Sequence, residues 1–226
     1  MDHKYRKIGK TVLIALIAAC IVIAAAFLLL LAPAYVETTI PVDSYVIEID
    51  GLSGLAVNGT ATVMVPIPAN ADGEPVMPEE AFTAGDQAFG WQTSIQETPY
   101  GKMLAFTTTE RYALDILLPT GEMEKKEEPR LLTPVIAVPG NTSVTEFCRS
   151  SGGTYTTVVF VDGFVEASEN ATPITFKLEY RGGAGMKHLV TEDTWTTNVH
   201  ATVAGNASGF VQVPAEYRII AGGVYF

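Results

Sequence analysis

Oxygen-bearing side chains alternate along Asn70-Ala71-Asp72-Gly73-Glu74, and Glu79 and Glu80 follow a few residues later. Alternating oxygens in a sharply turning segment suit Ca²⁺, a hard cation that collects several oxygen ligands. With Gly73 at the sixth position of a calcium loop, Asn70 and Asp72 fill the third and fifth and Glu79 the twelfth. The first position then falls on Pro68, which carries no carboxylate, and no flanking helices are expected. Asn70, Asp72 and Glu79 are therefore weak calcium candidates, set against the plainer reading of a polar Asp-Gly turn.

Other constellations fall short of a reaction. His188 and His200 form no His-x-x-x-His pair and no cysteine cluster exists, so no zinc site is expected. Gly51-Leu52-Ser53-Gly54 lacks the Gly-x-Ser-x-Gly spacing of a nucleophile elbow, and Ser150-Ser151-Gly152-Gly153 reads as a turn. Adjacent acids at Glu79-Glu80, Glu127-Glu128 and Glu192-Asp193 belong to solvated loops, whereas glycoside hydrolysis needs two carboxyls flanking a cleft. Arg181-Gly182-Gly183-Ala184-Gly185 is glycine-rich but lacks the spacing of a dinucleotide site, which makes it a hairpin tip. No catalytic residue and no cofactor are expected. Trp91 and Trp195 are expected as core anchors; exposed together with Tyr100 they would instead form a platform for sugars.

The segment that would position everything else is apolar. Val12 to Ala34 is an uncharged run of 23 residues. As a helix it would reach about 34 Å, enough to cross a hydrocarbon core of about 30 Å. Lys4, Arg6, Lys7 and Lys10 precede it against a single acid, Asp2, which favours a cytoplasmic amino terminus. The chain is thus expected as a basic cytoplasmic tail (1–10), a single transmembrane helix (11–35) and an extracellular remainder, partnered with the bilayer through Val12–Ala34. A cleaved signal would be shorter. A lipidated Cys20, suggested by Ile17-Ala18-Ala19-Cys20, would be followed by a polar tether rather than Ile21-Val22-Ile23.

The formal net charge is −11, and the first ten residues contribute +3, leaving −14 for the rest. Such an acidic exterior repels phosphate backbones and excludes nucleic acid as a partner. Beyond the apolar run the single cysteine, Cys148, is expected to be buried and inert, with an intermolecular bridge as the minor alternative, and no intrachain disulfide is possible there. Four of the six asparagines sit in sequons, at Asn58, Asn141, Asn170 and Asn206, and are candidates for glycosylation, set against the plainer reading of polar turns rich in Asn and Thr.

Strand patterns dominate after residue 40. Tyr45, Ile47 and Ile49 alternate with Val46, Glu48 and Asp50. Further strands are expected at Thr60–Pro68, Trp91–Ile95, Met103–Thr109, Ala113–Leu118, Leu131–Val138, Thr154–Phe164, Ile174–Tyr180, Trp195–Val203 and Gly209–Ile220. One short helix is expected within Pro78–Ala88. The charged stretch 121–130 reads as a linker.

A repeat supports a boundary there. Asp50-Gly51 follows an apolar strand and precedes the Asn58 sequon by eight residues; 112 residues later, Asp162-Gly163 stands in the same relation to Asn170. Trp91-x-Thr93-x-Ile95 matches Trp195-x-Thr197-x-Val199. Val63, Val65 and Ile67, however, fall one residue out of phase with Phe176, Leu178 and Tyr180, which requires a local shift of alignment. The expected fold class is all-β: one transmembrane helix followed by two tandem Ig-like β-sandwich domains at 36–120 and 131–226, joined by 121–130, with a single larger sandwich as the alternative.

Trp91, the stretch Thr98-Pro99-Tyr100-Gly101-Lys102-Met103-Leu104-Ala105-Phe106 and the order of basic start, anchor and sequon-bearing β domains resemble uncharacterised, amino-terminally anchored surface proteins of archaea. The resemblance implies an archaeal envelope and no catalytic residue. The expected function is a non-enzymatic structural or interaction protein of the cell envelope, in contact with other envelope proteins or glycans. A ligand- or glycan-binding adhesive ectodomain is the alternative, and an extracellular hydrolase a minor one.

Overall fold

The computed structural model describes residues 17, 19–27, 42–70, 73–77, 80–83, 90–120, 123–124, 130–166, 172–184, 186–187, 190–191 and 193–222. The chain divides into two compact units, Met1–Ile40 and Pro41–Phe226. In the first, the described residues 17 and 19–27 are helical. Among the described residues no helix is long and apolar enough to cross a membrane; of the apolar run, 12–16, 18 and 28–34 lie outside them.

The second unit is an antiparallel β structure. β1 (Val42–Asp50), β2 (Leu55–Val65), β3 (Ile67–Ala69), β4 (Gln92–Thr98), β5 (Gly101–Thr108), β6 (Ile116–Pro119) and β7 (Met123–Glu124) come from the first half of the chain. β8 (Leu131–Thr133), β9 (Gly152–Glu166), β10 (Ile174–Ala184), β11 (Met186–Lys187), β12 (Val190–Thr191), β13 (Thr194–Val203) and β14 (Gly209–Ile220) follow. Among the described residues the main sheet has ten strands in the order β4-β5-β2-β9-β14-β13-β10-β1-β6, with β7 also on β1. β3 and β8 pair separately, as do β11 and β12.

The main sheet curls around one core. Period-two alternation sends Tyr45, Ile47 and Ile49 of β1, Val63 and Val65 of β2, Val159 and Val161 of β9, and Phe176, Leu178 and Tyr180 of β10 to the same interior. β13 and β14 follow the same rule through Trp195, Val199, Val213, Ala215 and Tyr217. Side-chain hydroxyls add hydrogen bonds to the strand ladders. The Tyr155 hydroxyl accepts from the Leu132 amide and donates to the Leu132 carbonyl, at 3.0 and 3.2 Å. Thr120 exchanges hydrogen bonds with the Tyr45 backbone at 2.8 Å.

The expectation of two tandem sandwiches is corrected by this strand order. β1 pairs with β10, and β2 pairs with β9, so each expected half supplies the partner of the other. The repeat is nevertheless present, in interleaved form. Asp50 faces Thr175 and Ile49 faces Phe176, while Asp162 faces Thr62 and Val161 faces Val63. These are equivalent positions once the second strand of each copy is aligned with an offset of 113 (176 − 63). The register shift between Val57 and Thr62 absorbs the one-residue slip, so the core face is preserved. Both glycines that follow the paired aspartates have positive φ, +90° at Gly51 and +82° at Gly163. A Cβ on Gly51 would collide with the Pro173 carbonyl oxygen, and one on Gly163 with that of Thr60, again equivalent residues.

The stretch 121–130 is likewise no free linker where it is described. Met123–Glu124 pairs with Asp43 and Val42, and the Arg130 carbonyl accepts from the Thr197 hydroxyl at 3.1 Å. Of the expected helix Pro78–Ala88, the described helical part is α1 (Glu80–Thr83). A second helix, α2 (Val144–Cys148), is unexpected but has a sequence signal. Ser143-Val144-Thr145-Glu146 is a capping box, with both reciprocal hydrogen bonds formed.

Candidate functional site

The outward face of β9, β14 and β13 carries a cleft of about 390 Å³ lined by Thr154, Thr196, Asn198, Glu216 and Arg218 and the backbone of Gly153 and Tyr217. Strand register builds it. Glu216 lies opposite both Thr154 and Asn198, and Arg218 lies opposite both Gly152 and Thr196. Gly152 leaves a gap beside Arg218; a Cβ there would approach the Tyr217 carbonyl oxygen to 2.8 Å. Alternate residues Trp195, Thr197, Ala215 and Tyr217 point inward, so the cleft floor is rigid sheet.

Among the described residues Arg218 makes no ion pair. One strand further on, Arg181 is held by Glu179 at 2.6 Å. Lys177 bridges Glu48 at 2.6 Å and Asp50 at 2.8 Å. Its ammonium is held above the ordinary lysine range, first by the hydrogen bond to Asp50 and then by that to Glu48. The face thus offers a guanidinium, a carboxamide, two hydroxyls and a carboxylate. Such groups can hydrogen-bond a polyhydroxylated or carboxylate-bearing ligand. Among the described residues Glu216 is the single carboxylate lining the cleft, and no serine, cysteine or histidine lines it.

A second polar cluster is buried. Asp43, 3% exposed, accepts from the Tyr180 hydroxyl at 2.9 Å and from the Gly183 amide at 3.2 Å. Burial, and then the Asp43 carboxylate, push the Tyr180 hydroxyl well above the ordinary phenol range. The Trp195 ring packs on Gly182 and Gly183, where any side chain would collide with the indole. The cluster joins the start of β1 to the end of β10 and the start of β13. It is a structural clamp, and it explains the glycines at Arg181-Gly182-Gly183: they make room for Trp195.

The residues singled out from the sequence are scattered. Asn70 closes a tight turn. Its Oδ1 accepts from the Glu74 amide at 2.9 Å, and Gly73, at φ +80°, donates to the Asn70 carbonyl. Asp72 and Glu79 lie outside the described residues. Glu74 is drawn away to Lys102 at 2.6 Å. No three His, Cys, Asp or Glu side chains among the described residues are grouped to hold a metal. Asn58, Asn141 and Asn206 are exposed; Asn170 lies outside the described residues, as do His188, Glu127, Glu128 and Glu192. His200 is exposed on the outward face of β13, opposite Lys177. Cys148 is half-buried rather than buried.

Both tryptophans are interior. Trp195 is 3% exposed; Trp91 is 8% exposed, and its Nε1 donates to the Leu114 carbonyl at 2.9 Å. Tyr100, 43% exposed at the β4–β5 turn, stacks edge-on against Phe210 with ring centres 4.9 Å apart. A sugar platform of Trp91, Trp195 and Tyr100 is therefore not assembled. The cleft was missed because its five polar side chains come from three strands, and only pairing register brings them together. The single legible signal was polar alternation along β13 and β14.

No protein family, no curated protein and no solved structure matches the chain.

Proposed function

We propose that this chain is a single-pass membrane protein of the cell envelope, amino terminus inside, whose β domain is exported and acts without catalysis as a structural or interaction module. The observation that carries this reading is the uncharged run Val12–Ala34 behind four basic residues. Where that run is described it is helical, and consecutive positions Ile21, Val22 and Ile23 are all exposed, Ile23 at 67%. A helix apolar on every side suits lipid rather than a protein groove, which would cover one stripe. The acidic remainder, rich in strands, suits a hydrated surface. The resemblance to anchored archaeal surface proteins supports an archaeal envelope. Alkaline carbonate should leave the full chain in the membrane pellet, and protease added outside sealed cells should digest residues 42–222. Release into the supernatant would overturn the anchor, and protection from the protease would overturn the orientation.

A second reading, a ligand-binding ectodomain, is favoured by the cleft at Arg218. It takes ligands through hydrogen bonds rather than ring stacking. Arg218→Ala should weaken binding to an acidic-glycan array at least tenfold without changing thermal stability by more than about 0.5 kcal/mol, as for an exposed side chain. Equal binding by both proteins would remove this reading.

A further inference from the structure

The four sequons are spread through the sequence, but the fold gathers three of their hydroxyl residues at one rim. Thr60, two residues past Asn58, sets its carbonyl oxygen where a side chain on Gly163 would be. Ser208, two past Asn206, donates from Oγ to the neighbouring Asp162 at 2.8 Å. The Asn58 and Asn206 sequons therefore meet the same Asp162-Gly163 pair from opposite sides of β9. Thr172, two past Asn170, sets its carbonyl oxygen against Gly205, the residue before Asn206. This rim lies at the far end of β1 from Val42, because Asp50 at the other end pairs with Thr175.

The acceptors are presented. Asn58 and Asn206 are exposed, and neither carboxamide makes a hydrogen bond among the described residues. The register shift between Val57 and Thr62 frees Asn58 from the ladder, and Gly59, at φ +83°, has open space around it. Asn141 differs in place and chemistry. It lies next to α2, whose Phe147 packs on Gly153 at the opposite end of β9. Its sequon hydroxyl, Ser143 Oγ, accepts from the Glu146 amide at 3.2 Å and donates to the Glu146 carboxylate at 3.0 Å. Ser143 Oγ is thus used as both donor and acceptor in capping a helix, whereas among the described residues Ser208 Oγ makes a single bond, as a donor to Asp162.

We propose that Asn58 and Asn206 are N-glycosylated on the folded domain, giving one sugar-coated rim, and that Asn141 is left bare. This rests on the reading of the β domain as exported. The donor is an oligosaccharide carried on a lipid phosphate. The asparagine Nδ2 bonds to the anomeric carbon, the bond from that carbon to the phosphate oxygen breaks, and the lipid phosphate leaves with the electron pair. One Nδ2 proton passes to a base of the host transferase, and nothing is oxidised or reduced. The bulk added is hydrophilic and confined to the end of the domain away from Val42.

The test is peptide mass spectrometry on the full chain purified from membranes of its own host, with external protease digestion of intact cells run in parallel. Glycan mass is expected on the Asn58 and Asn206 peptides and absent from the Asn141 peptide. Asn58→Gln and Thr60→Ala should each remove the same single glycan, which separates loss of the sequon from misfolding. Bare Asn58 and Asn206 in a chain that external protease digests would overturn the proposal and leave export standing. Bare asparagines in a chain that the protease spares would overturn both. Glycan on Asn141 at equal occupancy would overturn selection by the folded domain.

Discussion

Asp43 is the one carboxylate buried among the described residues, and its two hydrogen bonds come from Tyr180 and Gly183. Removing it strands a buried hydroxyl and a buried amide. Asp43→Ala should cost about 2–3 kcal/mol of stability, read as a lowered urea midpoint with unchanged slope. Tyr180→Phe, which removes the donor and leaves the carboxylate with the Gly183 amide, should cost about 1–2 kcal/mol. Tyr45, Tyr155, Tyr180 and Tyr217 all have hydroxyls pushed above the ordinary phenol range, in each case first by burial. The folded state favours their protonated form. Their contribution is present in full below the unfolded value, about 10, and is lost as pH rises through the higher folded values. Phenolate absorbance of these four should therefore appear only together with loss of near-ultraviolet circular dichroism in an alkaline titration. Four ionisations completed while the fold persists would contradict the packing described.

At the scale of elements, α2 depends on its cap. Glu146 has its carboxyl held below the ordinary range, first by the Ser143 amide and then by the Ser143 hydroxyl. A lowered folded value means the contribution is present above the unfolded value of about 4.3 and is lost as pH falls through the folded one. Amide exchange across Val144–Cys148 should accelerate on acidification below about pH 4, and Glu146→Gln should flatten that dependence. The two aspartate–glycine pairs are tighter still. Gly163→Ala combines a strained φ with a collision against the Thr60 carbonyl, and should cost about 2–4 kcal/mol in thermal unfolding. At Gly59, where φ is similar but space is open, the same change should cost only about 1 kcal/mol. Strand identity was legible because alternation is a local property: β14 was expected at Gly209–Ile220 and is found there. Leu131–Val138 was over-read, since β8 stops at Thr133 before Pro134, which has no amide to donate. α2 was missed although Ser143-x-x-Glu146 is a recognised start signal, because five residues carry no apolar period.

For the whole molecule, interleaving has a direct consequence. Residues 36–120 alone would leave β1 without β10 and β2 without β9, exposing core faces and open ladders. Each half made separately should show no cooperative thermal transition, and mixing the two should restore one. A half that melts cooperatively alone would mean that the copies fold as tandem domains after all.

The chain by itself determined that the region beyond residue 40 is β, which residues face inward, that a repeat exists, and where an uncharged apolar run stands behind basic residues. Each of these is written in the side chains of a few neighbours and needs no distant partner to be read. Only the tertiary structure decided that the copies share strands instead of standing in series. The same holds for Thr154, Asn198, Glu216 and Arg218 sharing a cleft, and for Thr60 and Ser208 meeting at Asp162-Gly163. The physical reason is that an antiparallel ladder accepts any strand of matching alternation. Its choice of partner is settled by the closure of the whole core, a sum over residues far apart in sequence.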